Sequence, residues 1–126
     1  MGTGIVPDTE SIEAAARRYL KAFEERKLEE CMQFFTEASA VDFMGHFRGL
    51  RDIEEWHKAR FAADLKLIRL DRVEVQGSVV TLEGLATSAR LRAWRMKSIN
   101  GRVTATFDGP SIKLLSFGLR TDNASS

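Results

Sequence analysis

The spacing of apolar residues changes once along this chain, and that change limits the folds open to it. From Ile12 to Phe23 the apolar side chains recur at i, i+3, i+4 and i+7, which is typical of an amphipathic helix. From Leu65 onward the chain is rich in β-branched and aromatic residues, and residues 103–107 alternate apolar with polar. Helices followed by strands predict an α+β domain in which the helices pack on one sheet.

The first half of the chain predicts three helices. Asp8 and Thr9 can cap the first helix, which is expected to continue to about Arg26. Residues 28–35 repeat the helical spacing in a shorter second helix. The third helix is expected to begin near Asp52, the first member of a capping-box-like pair with Glu55.

The second half predicts a sheet, to which residues 39–43 add a short strand. Its longer strands are expected at Leu65–Gln76, Val79–Ser88, Ile99–Phe107 and Ile112–Leu119. The segment 89–97 around Trp94 alternates poorly and predicts a loop with at most one helical turn. The most economical packing lays the first helix in the concavity of a strongly curved antiparallel sheet. Such a sheet forms a cone with a pocket at its open end.

Length and charge exclude several classes of protein. The 126 residues fit a single domain, 1–126, with an ordered core expected at about 8–120. The 19 Lys and Arg residues balance 18 Asp and Glu residues, so neither a nucleic acid nor a membrane is expected as a partner. The N-terminus lacks the basic and apolar regions of a signal peptide, and a cytoplasmic location is therefore expected.

Cysteine and histidine are too few to suggest a metal centre. The single cysteine, Cys31, lies at helical spacing and is predicted to be a small buried hydrophobe. His46 and His57 do not have the spacing of metal ligands. Neither a metal nor another cofactor is therefore expected.

The order and spacing of several short segments resemble one known superfamily. Residues 19–23 (YLKAF) are followed by 28–35 (LEECMQFF), 36–42 (TEASAVD) and 49–56 (GLRDIEEW). Over roughly Thr9 to Leu119 the chain resembles the NTF2-like (cystatin-like α+β barrel) superfamily, in its SnoaL-like polyketide cyclase and ketosteroid isomerase branch. The resemblance implies three N-terminal helices packed into a strongly curved antiparallel or mixed sheet, forming a cone-shaped barrel with an internal pocket.

The resemblance also implies roles for individual residues. Tyr19 falls where ketosteroid isomerases keep a phenol that hydrogen-bonds the enolate oxygen, and Asp42 falls where they keep the general base. A carboxylate at the rim of an apolar cone is desolvated, which makes it a proton acceptor near neutral pH. Val103 falls near the position of a second oxyanion donor, and valine cannot donate a hydrogen bond. Half of that oxyanion hole is therefore missing.

Other interpretations of these positions stay open. Tyr19 is also compatible with a core tyrosine whose hydroxyl meets a backbone carbonyl. Asp42 is equally compatible with an outward-facing strand residue or with a cap of a backbone turn. The pocket wall or the core is expected to include Trp56, Trp94, Phe107, Phe117 and, in a loop near the mouth, His46.

Two functions of different classes follow from these expectations. The first is a cofactor-independent isomerase, cyclase or lyase that moves a proton on an apolar small molecule, with Asp42 as base and Tyr19 as hydrogen-bond donor. The second is a non-catalytic module that holds a hydrophobic ligand or presents its sheet to a protein partner. A homodimer is expected in either case, because the outer sheet face of a cone is often too apolar to stay exposed to water.

Overall fold

The computed structural model describes residues 11–95 and 98–119, with the backbone alone described at Arg90 and Leu119. Its helices are α1 (Ile12–Glu24), α2 (Leu28–Met32), α3 (Gly49–Ala62) and α4 (Ala89–Ala93). Its strands are β1 (Ala40–Asp42), β2 (His46–Arg48), β3 (Lys66–Gln76), β4 (Val79–Thr87), β5 (Ile99–Asp108) and β6 (Ser111–Leu119). No helix within the described ranges is long and apolar enough to cross a membrane.

A single curved sheet contains these strands in the order β2-β1-β6-β5-β4-β3. Strands β3 to β6 form the predicted antiparallel meander, and β1 joins β6 in parallel. The predicted α+β class, with helices packed in a curved mixed sheet, is confirmed, although the sheet is open rather than closed. Strand β2 was not predicted, and it places His46 opposite Asp42 in a ladder rather than in a loop. A strand of three residues is too short to show a period of two.

Helix α1 buries the apolar face that its sequence predicted. The Ser11 hydroxyl caps the helix, accepting a hydrogen bond from the Ala14 N–H at 3.0 Å. Asp8 and Thr9, the predicted caps, lie outside the described residues. The buried side chains of the helix are those of Ala15, Ala16, Tyr19, Ala22 and Phe23.

Helix α3 begins at Gly49, three residues before the predicted start. The prediction of a cap at Asp52 is wrong because the capping group comes from another part of the chain. The Glu37 carboxylate accepts a hydrogen bond from the Leu50 N–H at 3.3 Å. This bond satisfies a donor of the first turn, and no pattern within the helix itself reveals it.

The core lies between α1, α2, α3 and the inner face of the sheet. Cys31 is fully buried in it, as predicted. Burial raises the pKa of the Cys31 thiol to about 12, so the group stays protonated and is not a nucleophile at neutral pH. The largest fully buried side chains of the core include Val41, Ile53, Val80, Ile112 and Leu115.

The curvature of the sheet comes from a close approach between β3 and β4. The pairing register shifts between Leu67 and Arg69 and again between Leu70 and Arg72, which marks two bulges in β3. Gly84 of β4 lies opposite these bulges. A Cβ at this position would overlap the Arg69 carbonyl oxygen. Only glycine allows the bulged backbone to approach so closely.

A Gly84→Ala substitution is therefore expected to destabilise the protein by about 2 kcal/mol or more, because backbone rather than a flexible side chain must move. Gly118→Ala is the matched control, since nothing lies within 4 Å of a Cβ added there. Urea unfolding of the two variants measures the difference. Equal midpoints would contradict the importance of the close approach.

Candidate functional site

A cavity of about 720 Å³ lies between α1 and the concave face of the sheet. Its floor includes Leu82, Val103 and Phe117, which are register partners on β4, β5 and β6. Most of the remaining wall is also hydrocarbon, with contributions from Ala16, Leu20, Phe43, Leu70, Ile99 and Leu115. An apolar cavity of this size can hold a small organic molecule.

The mouth of the cavity is marked by lining residues that are exposed to solvent. Met44, in the turn between β1 and β2, is 91% exposed, and Trp94, after α4, is 64% exposed. Lys66, at the start of β3, also lines the cavity and is exposed to solvent. The cavity therefore opens among the β1–β2 turn, α4 and the start of β3.

The aromatic residues predicted for the pocket wall divide into two groups. Trp56, Trp94 and Phe117 contribute to the cavity wall. Phe107 is packed in the core with 5% of its surface exposed, and it is not among the lining residues. His46 also lies away from the cavity, on β2. Strand position decided this division, since Phe107 lies near the β5–β6 turn and beyond the cavity floor.

Asp42 lies on the face of the sheet opposite the cavity. It pairs in register with Ser116, whereas its neighbour Phe43 and the neighbour of Ser116, Phe117, both line the cavity. Successive side chains of a strand point to opposite faces, so the Asp42 carboxylate leaves from the outer one. There it accepts a hydrogen bond from His46 Nδ1, and its side chain is 44% exposed. The outward-facing interpretation of Asp42 fits this geometry.

Tyr19 contributes to the cavity wall, but its hydroxyl is engaged in the core. The Tyr19 Oη lies 2.7 Å from His57 Nε2, and His57 Nδ1 lies 2.8 Å from the Ile53 carbonyl oxygen. A carbonyl can only accept, so Nδ1 carries the imidazole proton and Nε2 accepts from the Tyr19 hydroxyl. Tyr19 therefore directs its proton at His57 and not at the cavity, and it does not converge with Asp42.

Burial keeps both members of this pair neutral. Desolvation lowers the pKa of His57 to about 4, although the Ile53 carbonyl opposes the shift, and it raises the pKa of Tyr19 well above 10.0. His57 packs edge-on against the rings of Tyr19, Phe35 and Trp56. His57 is therefore a packed core histidine.

Glu24 is a cavity-lining carboxylate that sequence reasoning missed. It is the last residue of α1, and its Oε2 accepts a hydrogen bond from the Leu67 N–H at 2.7 Å. Burial raises the pKa of the Glu24 carboxyl above its usual range, while the Leu67 N–H and Arg26 oppose that shift. In sequence Glu24 stands among exposed charges at a helix end. The available signal was its i+4 spacing from Leu20, which also lines the cavity.

Other polar residues at the cavity are held by partners. The Glu83 carboxylate, on β4, meets the Arg102 guanidinium of β5 at 2.7 Å. The Arg60 guanidinium lies over the Phe43 ring, 4.9 Å from its centroid. Among the described residues, no group of three or more His, Cys, Asp or Glu side chains is placed to hold a metal ion.

The depressed pKa of His57 makes stability pH-dependent. The unfolded chain takes up a proton near pH 6.5 and the folded chain only near pH 4, so stability falls as the pH drops between these values. From pH 7 to pH 5 the loss is expected to be about 2 kcal/mol. Urea unfolding at both pH values measures it. In a His57→Gln variant this fall should be largely absent, and an unchanged fall would assign it to other groups.

Structural comparison finds the same architecture in solved proteins. An NTF2-like protein of unknown function from Cytophaga hutchinsonii aligns with a TM-score of 0.72 at 13% identity, covering 100% of both chains. A candidate SnoaL-like polyketide cyclase from Shewanella denitrificans aligns with a TM-score of 0.73 at 15% identity, covering 92% of this chain and 96% of that one. A candidate ketosteroid isomerase from Kribbella flavida aligns with a TM-score of 0.71 at 15% identity, covering 86% and 76%. No family model and no curated protein sequence matches the chain.

Proposed function

We propose that this chain, which has the NTF2-like fold, binds an apolar small molecule in the cavity beneath α1. The observation that carries the proposal is the cavity itself, about 720 Å³ of mostly hydrocarbon-lined space with an open mouth. Filling it with an apolar molecule removes hydrocarbon surface of both partners from water. A polar molecule would lose its hydration there and find few hydrogen-bonding groups in return.

The structural neighbours support an apolar ligand. Two of them are named as candidates for a polyketide cyclase and a ketosteroid isomerase, and polyketides and ketosteroids are largely apolar molecules. The position of Val103 agrees with this class of ligand, because its side chain adds hydrocarbon to the cavity floor. The ligand expected here is therefore a small, largely apolar molecule, such as one with fused rings.

A bulky side chain placed in the cavity should weaken the binding of an apolar ligand. A Val103→Trp substitution on the cavity floor is expected to weaken the binding of a fused-ring probe such as 2-naphthol at least about tenfold, by occupying its site. Thr104→Trp is the matched control, because it places the same ring on the opposite face of β5. Isothermal titration calorimetry measures both. Equal affinity of Val103→Trp and the unmodified chain would place the ligand elsewhere.

A second function, proton transfer on the bound molecule, is favoured by Glu24. This carboxylate lines the cavity, and its raised pKa makes it a better proton acceptor than an exposed glutamate. Its hydrogen bond from the Leu67 N–H fixes its orientation. In this proposal Glu24 takes the role of the general base that the sequence resemblance assigned to Asp42. The outer-face position of Asp42 favours this reassignment.

Tyr19 has a different role in this proposal from the one that the resemblance implies. Its proton is directed at His57 Nε2, so its oxygen is left as a hydrogen-bond acceptor. Donation from Tyr19 to an enolate oxygen would require the Tyr19–His57 bond to break first. With Glu24 as its base, the chain would act as a cofactor-independent isomerase, cyclase or lyase.

Homodimer formation stays a prediction.

Proton transfer can be tested without the natural substrate. The exchange of α-hydrogens of 2-tetralone for deuterium in D₂O, followed by NMR, reports a general base beside a bound ketone. Glu24→Gln is expected to slow the exchange at least about 100-fold, and Asp42→Asn to leave it unchanged. The rate should fall at low pH as Glu24 takes up a proton, with a midpoint above the ordinary pKa of a glutamate because burial raises the pKa of this carboxyl.

Two other outcomes would contradict this assignment. Loss of exchange in Asp42→Asn alone would restore Asp42 as the base and overturn the assignment to Glu24. Exchange by the unmodified chain no faster than buffer, with 2-naphthol still bound, would leave a binding protein without this catalysis.

A further inference from the structure

The rim of the cavity combines exposed apolar side chains with basic ones. We define the rim as Met44, Lys66, Leu91, Trp94 and Arg95. Met44 and Trp94 are the two most exposed large apolar side chains in the described part of the chain, and both belong to the cavity wall. Trp94 is followed directly by Arg95, which is also exposed. Exposed apolar residues gathered at one opening indicate a surface that contacts something other than water.

The part of the sequence that contains Leu91, Trp94 and Arg95 is rich in basic residues, although the whole chain carries only +1 and Arg102 on β5 is paired with Glu83. Residues 84–107 contain five Arg and Lys residues and no Asp or Glu. Four of the basic residues fall within 89–97 (ARLRAWRMK), where they alternate with Leu91, Trp94 and Met96. Basic residues interleaved with tryptophan and aliphatic residues are typical of segments that lie at a membrane surface.

Ion pairs at and near the rim do not cancel this positive charge. Arg26, Lys66 and Arg92 all form ion pairs with the Asp64 carboxylate, with Lys66 Nζ 3.7 Å from it. Three cations thus share Asp64, and counting Glu24 nearby still leaves one positive charge in excess. Arg26 and Asp64 each follow the end of a helix, α1 and α3, where cations are favoured by the helix dipole.

We propose that the rim docks the protein reversibly on an anionic lipid bilayer. Trp94 and Met44 would enter the headgroup region, and Lys66 and Arg95 would face anionic phosphates. An acidic protein surface would match the charge but not the exposed tryptophan and methionine at the mouth of an apolar cavity. Docking in this orientation turns the mouth toward the bilayer. The further step, passage of an apolar ligand from lipid to cavity, rests on the proposed function, but the docking does not.

Vesicle co-sedimentation tests the docking with no ligand present, so its outcome is independent of ligand binding. The full chain is expected to sediment with phosphatidylcholine vesicles that contain about 30% phosphatidylserine, and much less with phosphatidylcholine alone. Salt should weaken the association. Trp94→Ser is expected to reduce it about tenfold and Arg95→Glu at least about fivefold.

Matched controls separate docking at the rim from general stickiness. Ile68→Ser removes another apolar side chain, 54% exposed and outside the cavity wall, and Arg17→Glu reverses another exposed charge. Both should leave sedimentation unchanged. Thermal unfolding of each variant shows that it is folded.

The proposal would be overturned if the chain did not sediment with anionic vesicles or sedimented equally with neutral ones. Equal losses of sedimentation in the rim variants and the control variants would also overturn it. Binding to poly-glutamate without vesicle binding would also overturn it, in favour of an acidic protein partner.

Discussion

The close approach of the β3 backbone to Gly84 is the constraint on which the cavity depends. A six-stranded sheet without bulges would bend less. The two bulges in β3 bend the sheet instead, and the Arg69 carbonyl occupies the volume that a side chain at position 84 would need. One missing Cβ thus allows the curvature, and the curvature creates an apolar space within reach of α1.

Helix α1 serves the core and the cavity with two adjoining stripes. Tyr19 joins it to α3 through His57, while Leu20 and Glu24 continue along the cavity wall. Because the Ile53 carbonyl fixes the imidazole tautomer, a backbone group of α3 determines that Tyr19 donates its proton inward. His57, which does not line the cavity, therefore determines that the Tyr19 oxygen can only accept a hydrogen bond there. Replacement of His57 would change the chemistry of the cavity as well as the stability of the core.

The net charge of the chain does not show that basic residues lie together at the cavity mouth. The balance of 19 basic and 18 acidic residues argued against any charged partner, but two basic residues lie at the cavity mouth, Lys66 in the wall and Arg95 directly after Trp94. Trp94 was expected in the core or pocket wall, and it lies in the wall while remaining 64% exposed. Both features were present in the sequence. Their significance came only from their common position at one opening.

The class of fold can be predicted from the sequence alone, because the periods of 3.6 and 2 residues are local properties that do not depend on tertiary contacts. The sequence also placed the apolar face of α1, the meander of β3 to β6 and the buried Cys31. The tertiary structure decided which side of β1 faces the cavity, and a shift of one residue separates Phe43 from Asp42. It also fixed the start of α3 and the position of Glu24 at the cavity. Each of these depends on a group distant in sequence, Glu37 or the Leu67 N–H, whose proximity no local pattern encodes.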